Sequence, residues 1–372
     1  MSGNYRYQYV SRDIRSKIER GEYTDGQRLP TESELQTMYN VSRITVIKAL
    51  EPLRKEGLIQ SFPGKGTFVN LKKKQVGKEN DTKEKSVMVG IVMPQIYSYF
   101  SNSVLASVAE EANRRGVHLV AGFCYNTVEE ETKQIERMIS LGCDGVIVIP
   151  LRSQSINHGI INAVLKNYPI VVVDRELDGV PLTYVGSDHE RATAEAMNYL
   201  FELGHKDIGM ISIVPKTTAV LARERGYFYG YAMSKHQARP NNCITDIRSS
   251  MTTSGKKAEL RSDVDRIKEF ITENPKITAM LCVNYNTMQI CRMALKELGM
   301  KIPRDISLIC FDAPRDVIAG KEYTYVQQDE KEIGRLSMEV LLKQIQSGEK
   351  DAHRYLVPTR LCTGASTDVP GR

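Results

Sequence analysis

The sequence predicts an α/β protein built from two parts: a small N-terminal module of helices and a β-hairpin, and a larger body with doubly wound parallel sheets. Two observations predict this division. Near residue 87 the hydrophobic pattern changes from helical spacing to short β-branched runs that alternate with amphipathic stretches. Residues 71–86, LKKKQVGKENDTKEKS, hold few apolar side chains and clustered charge, which is typical of a solvated linker. We therefore expect domains at residues 1–70 and 87–367, joined by this linker.

The composition of the 372 residues is that of a globular protein, with 41% hydrophobic and 26% charged side chains. No apolar run reaches the roughly eighteen residues of a membrane span, and the polar N-terminus MSGNYRYQYVSRD does not resemble a secretory signal. Seven cysteines without CxxC or CxxH spacing predict neither a disulfide framework nor a zinc site. We expect a cytoplasmic protein without a metal ion or a cofactor.

The charge of the chain is concentrated at one end. Residues 1–86 hold 17 Lys and Arg against 11 Asp and Glu, whereas the remaining residues hold 34 of each. A basic module on a neutral body indicates a polyanionic partner, most simply nucleic acid. The charge excess alone is equally typical of a solvated basic surface, so the choice depends on the motifs.

The sequence of the N-terminal module predicts the order of its helices and strands. Val10, Ile14 and Ile18 recur at helical spacing and predict a first helix over about residues 7–20. Thr31 and Glu34 form a capping-box pattern that opens a short second helix over 31–39. A third helix begins after Ser42, and LIQSFPGKGTFV then predicts a hairpin with a Pro-Gly-Lys-Gly tip.

Three helices followed by a hairpin, with a tight turn before the third helix, make a winged helix-turn-helix. In this arrangement the front of the third helix enters the major groove of DNA. Arg43, Thr45 and Lys48 lie at that front, off the apolar stripe of the helix. Lys65 lies at the hairpin tip, where flanking glycines let the backbone approach a DNA strand.

The segment GQRLPTESELQTMYNVSRITVIKALEPLRKEGLIQSFPGKGTFV resembles the GntR winged-helix signature. The resemblance implies DNA contacts from the turn, the third helix and the wing. Ser33 stands where an arginine is usual, and the apolar Ile44 occupies a position that often faces bases, where it would meet a thymine methyl group. The predicted DNA-binding residues are Ser33, Ser42, Arg43, Ile44, Thr45, Lys48, Gly64, Lys65 and Gly66.

In the body, runs such as SVMVGIVMP, DGVIVIP, PIVVVDR and ISLICFD alternate with amphipathic stretches. The alternation predicts parallel sheets covered by helices on both faces, and the length favours two lobes. Ligands of such sheets bind beyond the carboxyl ends of the strands. Aromatic, carboxylate and guanidinium side chains follow several of these runs, and this combination suits the hydroxyl groups and C–H faces of a sugar.

Residues 87–367 are similar to the LacI-type regulatory domain, which is related to periplasmic sugar-binding proteins. The stretches VGIVMPQIYSYF, PIVVVDR, ARERGYFYGY and ISLICFD carry the resemblance. It implies ligand contacts from Ser98, Phe100, Asp174, Arg175 and Arg223, with Arg225 as the alternative to Arg223. Tyr285 occupies the position of an expected aspartate, which indicates an effector that is modified, acidic or larger than a simple sugar.

A GntR-type reader joined to a LacI-type sensor resembles bacterial arabinose repressors of the AraR type. It implies a homodimeric repressor of a carbohydrate operon, bound to palindromic double-stranded operator DNA and released by arabinose or another monosaccharide. Alternatives are a solute receptor, a transcriptional activator with the same domains, and an enzyme on the α/β body. Against an enzyme, the sequence contains no GxGxxG, P-loop, GxSxG or HExxH motif.

Overall fold

A computed structural model describes residues 4–62, 65–70, 86–94, 98–125, 127–151, 157–177, 179–248, 257–314, 322–348 and 352–371. The chain divides into two compact units, residues 1–85 and 86–372. Residues 71–85, which make up nearly all of the predicted linker, lie outside the described residues, so the linker and the boundaries at 70 and 87 stay predictions. The α/β fold class with an N-terminal helix-turn-helix is confirmed.

The first unit contains three helices and a two-stranded antiparallel sheet: α1 (Asn4–Glu19), α2 (Glu32–Tyr39), α3 (Arg43–Lys55), β1 (Ile59–Phe62) and β2 (Gly66–Val69). The predicted capping box of α2 is confirmed, because Thr31 Oγ1 accepts the Glu34 amide at 3.2 Å and Glu34 Oε2 accepts the Thr31 amide at 2.6 Å. Val10, Ile14 and Ile18 pack with the apolar stripe of α3 in one core. This core holds α3 with its front toward solvent.

The second unit contains two six-stranded sheets with helices between the strands. The first lobe holds one sheet in the order β13-β7-β6-β5-β3-β4, all parallel. Its strands and helices are β3 (Met88–Met93), α4 (Tyr99–Arg114), β4 (His118–Phe123), α5 (Val128–Ser140), β5 (Gly145–Val148), α6 (His158–Leu165), β6 (Ile170–Val173), β7 (Thr183–Ser187), α11 (Glu330–Ser347) and β13 (Arg354–Val357).

The second lobe holds the sheet β14-β12-β11-β10-β8-β9, parallel except for the antiparallel pair of β12 with β14. Its elements are α7 (His189–Glu202), β8 (Ile208–Ile213), α8 (Thr218–Met233), β9 (Cys243–Ile247), α9 (Lys257–Glu273), β10 (Ala279–Cys282), α10 (Tyr285–Glu297), β11 (Ser307–Phe311), β12 (Thr324–Gln327) and β14 (Arg360–Cys362). A single-turn 3-10 helix (Pro240–Asn242) precedes β9. Within the described residues the chain crosses between the lobes after β7, β12 and β13, which makes a hinge of three segments.

Helices α7 and α8 pack closely through glycines of the RERGYFYGY segment. A Cβ atom on Gly226 would lie 2.3 Å from the Glu190 carbonyl oxygen, and one on Gly230 would lie 2.6 Å from Met197 Cβ. Only glycine permits this approach of the two helix backbones. The packing fixes the second half of α8 against the first half of α7, and each of these helices follows a strand of the second unit.

Candidate nucleic-acid interface and inter-lobe site

The front of α3 is built by a helix cap. Ser42 has an extended backbone conformation, its Oγ accepts the Thr45 amide at 3.4 Å, and the two hydroxyl oxygens lie 2.9 Å apart. The cap satisfies an amide of the first turn and fixes the residue at which the helix begins. Arg43, Ile44 and Lys48 are exposed, as is Ser33 on α2. The structure therefore brings the predicted residues of the turn and helix onto one open surface.

Arg43 is held in place by a carboxylate that the sequence analysis did not single out. Its Nε lies 3.0 Å from Glu32 Oε2, while the arginine side chain remains 72% exposed. An ion pair this exposed contributes little stability, about 0–1 kcal/mol. Its effect is orientation: the guanidinium is held at the front of α3 with its remaining donors free for a base edge or a phosphate.

Three large apolar side chains lie exposed on α2 and α3, of which Ile47, at 37%, is the least exposed. Ile44 is 67% exposed and Met38 is 53% exposed. A thymine methyl group is an apolar partner available to such side chains in the major groove. Met38 was missed from the sequence because a methionine near the end of an amphipathic helix reads as core.

The predicted wing is an antiparallel hairpin with Ile59 opposite Val69 and Phe62 opposite Gly66. Lys65 is exposed at its tip. Gly66 has φ +112°, a backbone conformation that side-chain-bearing residues rarely adopt, so the glycine is required by the backbone at this position; the exposed Arg28 side chain lies next to it. Gly64 lies outside the described residues. Arg28, exposed beside the wing, adds a cation that the sequence analysis did not single out.

Lys65→Ala is expected to weaken binding to all DNA sequences by a similar factor, because a wing lysine at an exposed tip contacts phosphate. We expect the slope of log K against log salt to fall by about one unit. Fluorescence anisotropy on specific and random duplexes across a salt series measures this. Arg20→Ala, which removes an exposed arginine paired with Glu22 at 3.1 Å, is the matched control and should leave the slope unchanged. A loss confined to one DNA sequence would contradict a phosphate contact.

In the second unit, two aspartates occupy equivalent positions in the two lobes. Asp174 follows β6 and Asp312 follows β11, and each of these strands is third from its sheet edge. Both residues have left-handed backbones, with φ +66° and +61°. Each amide donates to the next strand, Asp174 to the Val185 carbonyl and Asp312 to the Val326 carbonyl, both at 3.1 Å. This strained conformation, tolerated best by Asp and Asn, turns both carboxylates out of their sheets.

Arg223 joins these two carboxylates in one buried cluster. Its Nη1 donates to the Val283 carbonyl at 2.6 Å, its Nη2 lies 3.7 Å from Asp312 Oδ2, and its guanidinium stacks 3.9 Å above the Phe311 ring. Its Nε donates to His189 Nδ1 at 3.3 Å, and His189 Nε2 lies 3.5 Å from Asp174 Oδ1. The cluster connects Asp174 of the first lobe with Arg223 and Asp312 of the second, at the carboxyl ends of both sheets.

The charges in this cluster are set by burial and by the arginine. Burial raises the pKa of Asp312 to about 7, against the attraction of Arg223 and hydrogen bonds from Gln328, which donates at 2.9 and 3.1 Å. Burial lowers the pKa of His189, and the nearby Arg223 lowers it further, so the imidazole is neutral. The pKa of Asp174 is lowered although burial opposes this, because His189 and two arginines surround the carboxylate. Asp174 is therefore ionised at neutral pH, and Asp312 carries a proton part of the time.

Asp312→Asn is expected to change how stability depends on pH. The pKa of Asp312 rises from 3.8 to about 7 on folding, so the folded chain keeps a proton that the unfolded chain loses as pH increases. This carboxyl group therefore costs stability as pH rises from about 4 to about 7, and the free energy of unfolding of the wild type should fall by about 3 kcal/mol relative to Asp312→Asn between pH 5 and 8. Urea unfolding of both proteins at each pH measures the difference. Parallel pH profiles would contradict a buried, raised pKa.

The other predicted ligand residues have structural contacts of their own. Arg175 Nη1 donates to the carbonyls of Pro150 and Leu151 at 2.9 and 3.0 Å. Ser98 caps α4, its Oγ accepting the Ser101 amide at 3.0 Å, and Phe100 lies in the core of the first lobe. Tyr285, the first residue of α10, packs edge-on against Tyr323 with ring centres 5.5 Å apart. Their ligand roles stay predictions.

The alternative arginine of the ARERG segment lies elsewhere. Arg225 is exposed and pairs with Glu190 at 2.8 Å, outside the buried cluster. His189, Asp312 and Gln328 were missed from the sequence. A signal for Asp312 was present, since ISLICFD ends as PIVVVD does, with an aspartate directly after a buried strand.

Within the described residues, no helix is long and apolar enough to cross a membrane. Among the same residues, no group of three His, Cys, Asp or Glu side chains has the arrangement of a metal site.

Comparison with known proteins gives a match for each unit. Residues 6–69 match the model for bacterial regulatory proteins of the gntR family, and residues 197–367 match that for a periplasmic binding protein-like domain. An arabinose metabolism transcriptional repressor of Geobacillus stearothermophilus is 27% identical over 354 residues, with 93% of each chain covered. A protein of the same name from Halalkalibacterium halodurans is 24% identical, covering 93% of this chain and 91% of its own.

Solved structures share the fold. A complex of the transcriptional regulator CelR with cellobiose matches with a TM-score of 0.66 at 16% identity, over 91% of this chain and 100% of that one. The lac repressor dimer bound to operator and the anti-inducer ONPF matches with a TM-score of 0.63 at 20% identity, over 80% of this chain and 98% of that one.

The chain joins a region that matches the model for bacterial regulatory proteins of the gntR family to a region that matches the model for a periplasmic binding protein-like domain. Both family resemblances predicted from the sequence are confirmed. Along nearly its whole length it is similar to arabinose metabolism transcriptional repressors.

Proposed function

We propose that this protein represses a carbohydrate-utilisation operon in the bacterial cytoplasm and leaves its operator when a sugar binds between the lobes of its second unit. One observation supports the proposed sugar-binding site between the lobes. Arg223 lies buried between carboxylates that come from the facing strand ends of two lobes. A ligand that contacts both lobes favours one arrangement of the hinge, and it shifts that equilibrium by the difference between its affinities for the two arrangements.

The chemistry of the cluster favours a polyhydroxylated effector. Carboxylates accept hydrogen bonds from vicinal hydroxyls, and a planar guanidinium donates to two oxygens at once. The residues that we propose for this site are Ser98, Phe100, Asp174, Arg175, Arg223 and Tyr285, with Asp312 and Gln328 added by the structure. Because relatives are named for arabinose metabolism, L-arabinose is the first candidate.

The DNA half of the proposal rests on the surface formed by α2, α3 and the wing. An exposed, oriented Arg43 and a tip lysine supply one base contact and one phosphate contact. A single DNA-binding domain of about seventy residues covers few base pairs. We therefore propose that a homodimer binds a palindromic operator and doubles these contacts. The proposed DNA-contacting residues are those predicted from the sequence, together with Arg28 and Met38.

Two measurements test the proposal. Selection from a random duplex library gives the sequence that the full chain prefers, and a palindrome with two half-sites is expected. Anisotropy on that duplex is then recorded with L-arabinose, other aldoses, uronic acids, disaccharides and sugar phosphates. Release of the DNA by at least one compound, without any consumption of it, supports a sensor rather than an enzyme.

The alternatives predict other outcomes. A solute receptor would bind sugar but no specific DNA. An enzyme would convert the sugar that it binds. An activator would bind the operator more tightly with the effector and would raise transcription of the adjacent genes, which a reporter assay distinguishes from repression.

A further inference from the structure

The outward side of α3 is apolar in the first turns of the helix. Ile44 and Ile47 are three residues apart, so they lie on the same side of the helix, about 4.5 Å apart along its axis. The two side chains are 67% and 37% exposed. Lys48 and Glu51, both exposed, continue this side, while the opposite side of α3 is buried in the core of the first unit.

The stability of the first unit does not explain the two isoleucines. Neither belongs to the core of the unit, and a β-branched side chain is a weaker helix former than Lys, Arg, Glu or Gln. Single exposed apolar side chains are ordinary on protein surfaces, so exposure alone does not indicate a partner. What distinguishes this pair is its location.

The pair lies on the part of α3 that we assign to DNA. Arg43 directly precedes Ile44 and Lys48 directly follows Ile47, so an exposed cation flanks each isoleucine. Residues 6–69 match the model for gntR-family regulatory proteins, and in a helix-turn-helix the N-terminal residues of the recognition helix contact base edges in the major groove. The apolar group that a base pair presents there is the C5-methyl group of thymine.

The chemistry of isoleucine restricts what the pair can recognise. An isoleucine side chain neither donates nor accepts a hydrogen bond, so it gains nothing from the polar edge of a G·C pair. Removing one methyl group from water against an apolar side chain strengthens binding about fourfold. Base pairs are stacked about 3.4 Å apart, so the 4.5 Å between the isoleucines reaches neighbouring or next-neighbouring base pairs.

We propose that Ile44 and Ile47 together read two thymine methyl groups, no more than two base pairs apart on either strand, in each half-site of the operator. The proposal rests on the operator binding proposed above and goes beyond it, because it adds Ile47 to the DNA-contacting residues and fixes part of the DNA sequence. Hydrogen bonds to bases and phosphates come from the polar residues of the same surface, such as Arg43.

Replacing thymine by uracil tests the proposal, because uracil lacks the methyl group and keeps every hydrogen-bonding group of the base pair. Each thymine of the duplex that the full chain selects is replaced in turn, at the same place in both half-sites, and affinity is measured by fluorescence anisotropy. We expect the wild type to lose about fourfold per half-site at two thymines that are no more than two base pairs apart. Ile44→Ala should be insensitive to uracil at one of these thymines, and Ile47→Ala at the other.

Two controls separate DNA reading from folding. Leu165→Ala removes an aliphatic side chain that is 77% exposed on α6 of the second unit, and this variant should keep the uracil sensitivity of the wild type. Since Ile44 and Ile47 lie outside the core, their alanine variants should keep the thermal unfolding midpoint of the wild type.

Three results would overturn the pair as a thymine reader and leave the repressor proposal standing. They are a selected half-site without two such thymines, uracil tolerated at every thymine, and uracil sensitivity that persists in either isoleucine variant. A full chain that enriches no duplex from the random library would overturn both proposals.

Discussion

Arg223→Ala is expected to give a repressor that stays on its operator when the sugar is added. Arg223 is buried, donates to the Val283 carbonyl and lies 3.7 Å from Asp312. Removing one partner of a buried, charge-assisted contact with the effector costs about 2–5 kcal/mol, which raises the sugar concentration needed for release at least about 30-fold. Operator affinity without sugar should be retained, since the reader is a separate compact unit.

The measurement is operator anisotropy against sugar concentration, with calorimetry on the same proteins. Loss of the buried arginine also leaves Asp312 without its cation, and this destabilises the fold by about 3–5 kcal/mol. Arg223→Lys is therefore measured alongside Arg223→Ala. Lysine keeps the positive charge but lacks the planar guanidinium group, so we expect a loss of sugar affinity between that of the wild type and that of Arg223→Ala. Arg266→Ala removes an arginine of the same lobe that pairs with Asp246 at 3.0 Å in solvent, and it should respond to sugar as the wild type. Unchanged sugar affinity in a folded Arg223→Ala protein would exclude Arg223 from the effector site.

Arg43→Ala is expected to weaken operator binding by about 1–3 kcal/mol per half-site and to relax the preference for one base pair in each half-site. The physical reason is its position at the capped front of α3, where the guanidinium is exposed and oriented by Glu32. Binding to the selected operator and to single-base variants of it measures both effects.

Two controls accompany Arg43→Ala. Glu32→Gln breaks the ion pair but keeps the arginine, so its effect should stay below about 1 kcal/mol. Arg20→Ala removes an exposed arginine at the end of α1 and should have no effect on base preference. If Arg43→Ala leaves the preference at every position unchanged, Arg43 does not read a base.

Much of the fold followed from local patterns. The capping box at Thr31, the cap at Ser42 and the apolar stripe through Val46 and Leu50 are encoded within a few residues, so they were predictable and are confirmed. The two-lobed parallel body followed from the alternation of strand runs and helices in the same way. Periodicity alone could not give the return of α11 and β13 to the first lobe, because the partner strands lie far away in sequence.

The inter-lobe site was predictable only in part. Asp174 and Arg223 were predicted to be ligand residues because they lie near the ends of strands. The structure brings both into one cluster. His189 was missed because a histidine after an aspartate at a helix start carries no local signal of burial. Ser98 caps a helix and Phe100 lies in the core of the first lobe. These contacts depend on tertiary packing, which the position of a residue after a strand does not reveal.

Titration of the full chain on its selected operator with L-arabinose and the wider sugar panel tests the central claim most directly. We predict that at least one sugar releases the palindromic duplex, that the compound is recovered unchanged, and that Arg223→Ala abolishes the release without weakening DNA binding. Operator binding that no compound of the panel alters, with wild-type protein that is folded and active on DNA, would contradict it.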